Sequence, residues 1–328
     1  MNIIILIPYF GRLPEYFDVF LKSVVHLSHI DFRIFTDDRS ALERSYSKNV
    51  CVQIMSFSEI QQRIHKIWGV KLTSGYKLCD FKPMYAELFS DFIKGYDYWG
   101  YCDIDTMMGD VMAFLNNIDY THYDRIGKNG HFTLYRNCEY INALYKKYPK
   151  TASPNCNYLY VISTTYPCNF DEVGMNEIVK SQNILFYEEN HVADTTIMRD
   201  LHLHTYGNSK TPELFVYING KCYVYSMKDN IVCRKEYMYI HFQDRKNMPV
   251  NGNLSDKVLI THLGFFPFDE SHIQEYFSSY GAVDTKLERT LYMIGKRKGQ
   301  MMRRLKRLII EISEYGWQQA WYTLRNRL

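Results

Sequence analysis

The N-terminal stretch NIIILIPYF carries five consecutive aliphatic residues, Ile3 to Ile7, stopped by Pro8. A run that is short and apolar on both sides reads as a strand buried on both faces. The next apolar residues, Phe17, Phe20, Leu21, Val24 and Val25 in EYFDVFLKSVVHL, recur at helical spacing. DFRIFTDD and VCVQIMSF then supply a second and a third strand. Strand, helix, strand at this spacing predicts an α/β fold with a mixed, mainly parallel sheet flanked by helices. Ligands of such sheets bind outside the carboxyl ends of the strands. Pro8, Tyr9, Phe10, Asp37 and Asp38 fall there and are candidate cofactor contacts.

The same reading applies to YDYWGYCDIDTMMGD, residues 96–110. Alternation along this strand puts Trp99, Tyr101 and Asp103 on one side, so Asp103 and Asp105 point the same way where the chain leaves the sheet. Two carboxylates so close cannot both stay ionised cheaply without a cation. Hard oxygen ligands suit Mg²⁺ or Mn²⁺, and an ion held by two carboxylates keeps positions open for a diphosphate. The competing explanation is a pair of surface aspartates in a turn, since short D-x-D strings arise by chance. FKPMYAELFSDFIKGY, with Pro83 near its first turn and Gly95 after its last, is predicted as one helix leading into this strand. HFTLYRN reads as a strand and CEYINALYKKYP as a helix stopped by Pro149. CNFDEVGMNEIVKSQ reads as a loop entering a short helix. ELFVYING, KCYVYS and EYMYIHFQ read as strands joined at NG and KDN turns.

Composition adds bounds. The 328 residues, 46% hydrophobic and 23% charged, suffice for one large domain or one and a half. The 29 tyrosines suit sugar or base stacking, although an AT-rich coding sequence explains most of them more simply. The 8 cysteines are scattered without a CxxC pair, and no charged n-region precedes the first apolar run. Both features are expected of a cytoplasmic, reducing environment. The net charge of +3 is uneven: residues 285–328 hold eleven Lys/Arg against three Glu, a net of +8, which leaves −5 for the rest. In KRKGQMMRRLKRLIIEISEYGWQQAWYTLRNRL, Met301, Leu305, Leu308, Ile309 and Ile312 share one helix face. Arg303, Arg304, Lys306 and Arg307 surround it, and Trp317 and Trp321 follow four residues apart. Such a helix fits an anionic membrane surface, here the inner face of the cell membrane. A helix docked on the domain ranks second. Nucleic acid ranks last, for want of a stacking module.

CDFKPMYAELFSDFIKGYDYWGYCDIDTMMGD, GHFTLYRN and YIHFQDRK resemble a family of bacterial glycosyltransferase-like proteins found among polysaccharide genes. The D-x-D string after an apolar strand also resembles the metal-dependent glycosyltransferases of the GT-A (Rossmann-like) fold. The resemblance covers roughly residues 1–270 and leaves 271–328 as a basic helical extension. It implies transfer of a sugar from a nucleotide-sugar donor, a UDP-sugar, to a saccharide or lipid-linked acceptor in surface polysaccharide assembly. Asp103 and Asp105 would hold the metal and Asp103 would also touch the donor; His241 would complete the metal site and Lys246 would bind the diphosphate. Asp80 and Lys82 would close over the donor, although a salt-bridged helix-start lysine explains Lys82 equally well. Asp171 and Glu172 are the candidate catalytic carboxylates, with helix N-capping by Asp171 as the competing role. His131 would border the acceptor or simply end a strand. A nucleotidyltransferase or phosphohydrolase would use the same carboxylates, and a non-catalytic carbohydrate-binding protein would keep the fold without them.

Overall fold

A computed structural model describes residues 2–147, 156–188, 191–195, 201–208, 210–243 and 248–295, with single positions beyond. Its centre is a seven-stranded sheet. In chain order the strands are β1 (Ile3–Pro8), β2 (Ile30–Thr36), β3 (Val50–Ile54), β4 (Tyr98–Cys102), β6 (Arg125–Asn129), β7 (Phe132–Arg136) and β8 (Phe186–Tyr187). β5 (Thr106–Met108), β9 (Val192–Asp194) and β13 (Tyr239–His241) form a small second sheet. β10 (Glu213–Ile218), β11 (Lys221–Lys228), β12 (Ile231–Tyr237), β14 (Lys257–Thr261) and β15 (Gly264–Pro267) form a third.

The large sheet runs β3-β2-β1-β4-β7-β6-β8, parallel from β3 to β4 and antiparallel at β4–β7 and β6–β7. The mixed, mainly parallel architecture is the one the sequence predicts. Both faces are covered, which is why β1 and β4 are buried almost throughout. The helix Phe17–Val24 packs on one face and the helix Phe57–Trp68 on the other. Gly100 is the tight point of β4, where a Cβ would lie 2.3 Å from the Thr133 carbonyl oxygen of β7. Along β10, Phe215 and Tyr217 face the main core while Leu214 and Val216 face a smaller one with Phe277. The helix Ile273–Tyr280, which carries Phe277, therefore packs on the outer side of the third sheet.

Three predicted elements differ, and the least of them is the helix expected over CEYINALYKKYP, which is a single α turn, Glu139–Asn142, followed by a 3₁₀ turn, Leu144–Lys146. The helix expected over FKPMYAELFSDFIKGY is instead a 3₁₀ run, Gly75–Met84, followed by a single α turn, Tyr85–Leu88. At three residues per turn Lys77 and Asp80 share the side that enters the interior, and Lys82 leaves on another. EYMYIHFQ is split, because Gly109 N–H donates to Met238 O and Met238 N–H to His191 O, so β13 crosses into the small sheet. The NG and KDN turns are as expected, with Asn219, Gly220, Asp229 and Asn230 all at positive φ. Residues 286–295 are helical, with Leu287, Leu291 and Ile294 exposed. No helix among the described residues is long and apolar enough to cross a membrane. Pro149, Lys246, Arg303, Arg304, Lys306, Arg307, Leu308 and Trp321 lie outside the described residues.

Candidate active site

β4 ends at Cys102, and the turn to β5 carries Asp103 and Asp105. β13 is antiparallel to β5 and parallel to β9, with His241 opposite Thr106 on one side and Asp194 on the other. Three chain segments thus meet at one corner, and Asp103, Asp105 and His241 bring ligand atoms within 4.8 Å of one another. His241 Nδ1 donates to Asp194 Oδ1 at 2.8 Å, which turns the other ring nitrogen, Nε2, toward Asp105 Oδ1 at 3.6 Å, where a proton or a cation can sit between them. An imidazole held by a carboxylate on its far nitrogen is the usual support of a metal-ligating histidine. Two ligands of one octahedral Mg²⁺-sized ion stand about 3–4 Å apart. Burial opposes a charge on His241, yet Asp105 and Asp194 raise its pKa to about 10. The same field that draws a proton there would draw a cation. The residues fit Mn²⁺ or Mg²⁺.

His131 and Asp194 also lie with His241 within that reach. The His131 ring, however, stacks on His241 at 4.0 Å, so the two lone pairs do not converge on one point. Burial, aided by His241 and Lys82, pushes His131 well below its ordinary pKa. Its Nδ1 lies 2.8 Å from the Tyr239 hydroxyl. His131 thus lies as a neutral plate behind His241.

Lys82 reaches the corner from the 3₁₀ run. Its ammonium donates to Asp103 Oδ1 at 2.7 Å and Gly130 O at 2.8 Å, and stands 3.5 Å from Asp171 Oδ2. Asp171 sits in a π turn, Phe170–Gly174. Single π turns inside helices recur at functional sites. Gly130 admits its carboxylate, since a Cβ there would lie 2.4 Å from Asp171 Oδ2. Burial raises the Asp171 pKa to about 7, against the pull of Lys82 and with Glu172 and Asp103 adding to the rise. A carboxyl poised there can exchange a proton at neutral pH. Asp171 makes no capping bond to the helix Met175–Ser181, so the capping alternative is not its role.

The other expected residues divide. Pro8 and Tyr9 line a small cavity together with Lys82, Tyr101 and Asp103. Phe10 packs edge-on against Phe57. Asp37 accepts the Gly11 N–H, and Asp38 accepts those of Leu13 and Ser40; both brace the loop after β1. Glu172 Oε1 accepts the Gly130 N–H and holds the β6–β7 turn, which leaves Asp171 the better proton acceptor. Asp80 is corrected outright. It is fully buried, bonded to Lys77 and to the N–H groups of Cys168 and Phe170, and cannot meet a donor sugar. Asp194, Tyr239 and Gly130 carry no mark in the sequence and become visible only through pairing across the small sheet and the β6–β7 turn.

The model of a family described as a family of unknown function (DUF6625) matches residues 5–269. No curated protein matches the chain. The crystal structure of mouse xyloside xylosyltransferase 1, apo form, aligns at a TM-score of 0.41 and 9% identity, covering 76% of this chain and 99% of that one.

Proposed function

The chain belongs to that family of unknown function (DUF6625), and from this premise we propose that it is a metal-dependent glycosyltransferase with a GT-A-like arrangement. It would move a sugar from a nucleotide-sugar donor, a UDP-sugar, to a saccharide or lipid-linked acceptor in bacterial surface polysaccharide assembly. One observation carries the reading: Asp103, Asp105 and His241 converge beside Lys82 and Asp171 where β4 leaves the sheet.

A divalent ion held by Asp103, Asp105 and His241 would supply charge neutralisation for a leaving diphosphate. Lys82 fixes a second positive charge beside it: burial opposes that charge, but Asp103 and Asp171 hold the lysine pKa well above its usual value. Asp171 takes the proton of the attacking acceptor hydroxyl. Tyr9 and Pro8 wall the donor side, and Asp37 and Asp38 keep that wall in place. Lys246 would meet the diphosphate from the segment after His241. The basic C-terminal segment would hold the cytoplasmic enzyme on the anionic inner face of the membrane, close to lipid-linked acceptors.

Calorimetric titration with UDP, with and without Mn²⁺, followed by a hydrolysis screen of nucleotide sugars, tests the reading. The expected result is UDP binding that requires Mn²⁺ and slow hydrolysis of one UDP-sugar. UDP binding indifferent to metal, or none at all, overturns it.

A further inference from the structure

Arg125 is fully buried, and none of its three guanidinium nitrogens has a close hydrogen-bond partner among the described residues. The sheet register explains how it got there. β6 sets Arg125 opposite Tyr135 of β7 on one side and Phe186 of β8 on the other, and Tyr135 in turn lies opposite Trp99 of β4. The guanidinium carbon is 5.5 Å from the Tyr135 ring centroid and 5.2 Å from that of Phe186, while Tyr135 stacks on Trp99 at 4.8 Å. An arginine between two aromatic rings gains a modest attraction from each. Taking a charge of this size out of water costs more than that, so the rings do not balance it.

The neighbouring polar groups are in the same condition. The hydroxyls of Tyr101 and Tyr135 are buried and also without a close partner among the described residues, on rings whose centroids are 6.1 Å apart. The three groups are coupled through long, weak hydrogen bonds to Tyr135: burial raises the Tyr135 phenol pKa while the Arg125 charge and the hydrogen bonding of Tyr101 and Arg125 lower it, and Tyr135, with the more distant Asp171 charge, adds to the rise that burial gives Tyr101. A positive guanidinium and two hydroxyls therefore share one enclosed place. Groups of this kind, left unpaired in a packed interior, call for a ligand. A water oxygen would accept their hydrogen bonds but leave the charge uncompensated. A compact anion does both.

We propose that Arg125, Tyr101 and Tyr135 form an internal binding site for a small monovalent anion of halide size, with chloride as its natural occupant. The inference does not rest on the transferase reading. The bound ion would tie β4, β6 and β7, the strands that carry Asp103 and the Gly130 turn, into one unit, so it acts on the stability of the site's frame.

Crystals of the full chain soaked in bromide and measured at the bromine edge give the direct test. An anomalous peak within hydrogen-bond reach of the Arg125 guanidinium is expected. Peaks at the surface only, or a water at Arg125, overturn the proposal. In solution, bromide should raise the melting temperature above that in gluconate at equal ionic strength. Tyr135→Phe removes one donor with little change in packing and should raise the half-saturating bromide concentration about tenfold. Arg125→Met should abolish the bromide effect. An unchanged bromide dependence in Tyr135→Phe overturns the proposal even if Arg125→Met fails to fold.

Discussion

The 3₁₀ run Gly75–Met84 carries two lysines whose pairs with aspartate have opposite fates. Lys77 has Asp80 at 2.7 Å and further bonds to Val161 O, Thr164 Oγ1 and Tyr166 O, and Asp80 accepts two backbone N–H groups besides. Every polar atom of that pair is spent inside the protein. Lys82 has Asp103 at 2.7 Å and Asp171 at 3.5 Å, but the Asp103 side chain keeps 37% of its surface. Residue type does not separate the pairs; saturation does. The sealed pair staples the 3₁₀ run to residues 161–170 and so sets where the π turn begins. In the proposed reading the open pair offers that positional certainty to a cation and a proton acceptor.

The largest expected difference between them is in stability. Asp80→Asn leaves the Lys77 ammonium buried without its counter-charge and should cost about 3–5 kcal/mol in urea unfolding. Asp103→Asn should cost less than that, because its partner lysine keeps Asp171 and the Asp103 side chain is itself 37% exposed. Equal losses in the two variants would erase the distinction between staple and site.

Activity should divide the pairs the other way. Asp103→Asn and Asp105→Asn each remove one charge that would face the metal, and turnover of the donor should fall about 10²–10³-fold with the fold intact. Normal turnover in either variant removes the metal from the site. A smaller effect is expected one shell out. Asp194→Asn keeps an oxygen for His241 Nδ1 but not its charge, and should raise the Mn²⁺ concentration for half-saturation about 10–100-fold. Paramagnetic resonance of bound Mn²⁺ measures this without turnover; an unmoved titration would make Asp194 a bystander.

How much of this could be read beforehand follows from sequence distance. β1, the helix after it, β2 and β3 are legible because their signals are local and periodic, and Asp103 and Asp105 are legible because two residues suffice to show them. Asp171 was visible as a charged loop residue, but its burial depends on Gly130, 41 positions earlier. Asp194 was not visible at all, since its role is created by the parallel pairing of a three-residue strand with His241, 47 positions later. Asp80 misled for the opposite reason. A charged residue two positions from Lys82 looks equivalent to it, and only the packing of residues 161–170 sends the two side chains to different places.

The last comparison is between Asp171 and an ordinary carboxylate, and pH reads it. Burial holds the folded pKa at about 7, above the ordinary 3.8 of an aspartate. The folded state therefore binds the proton more tightly than the unfolded chain does. This contribution to stability is fully present below pH 3.8 and is lost as pH rises through about 7, with a slope of up to about 1.4 kcal/mol per pH unit between them. Asp171→Asn cannot ionise, so the difference in stability between variant and wild type should grow over that window and level off above it. The catalytic sign is the reverse, because a base works when deprotonated. Donor turnover with acceptor should rise about tenfold from pH 6 to pH 8 in the wild type. Asp171→Asn should be slower throughout and lack that limb. A variant that keeps the same rising limb would assign the ionisation to another group, and Asp171 would then belong with Asp80 among the carboxylates spent on structure.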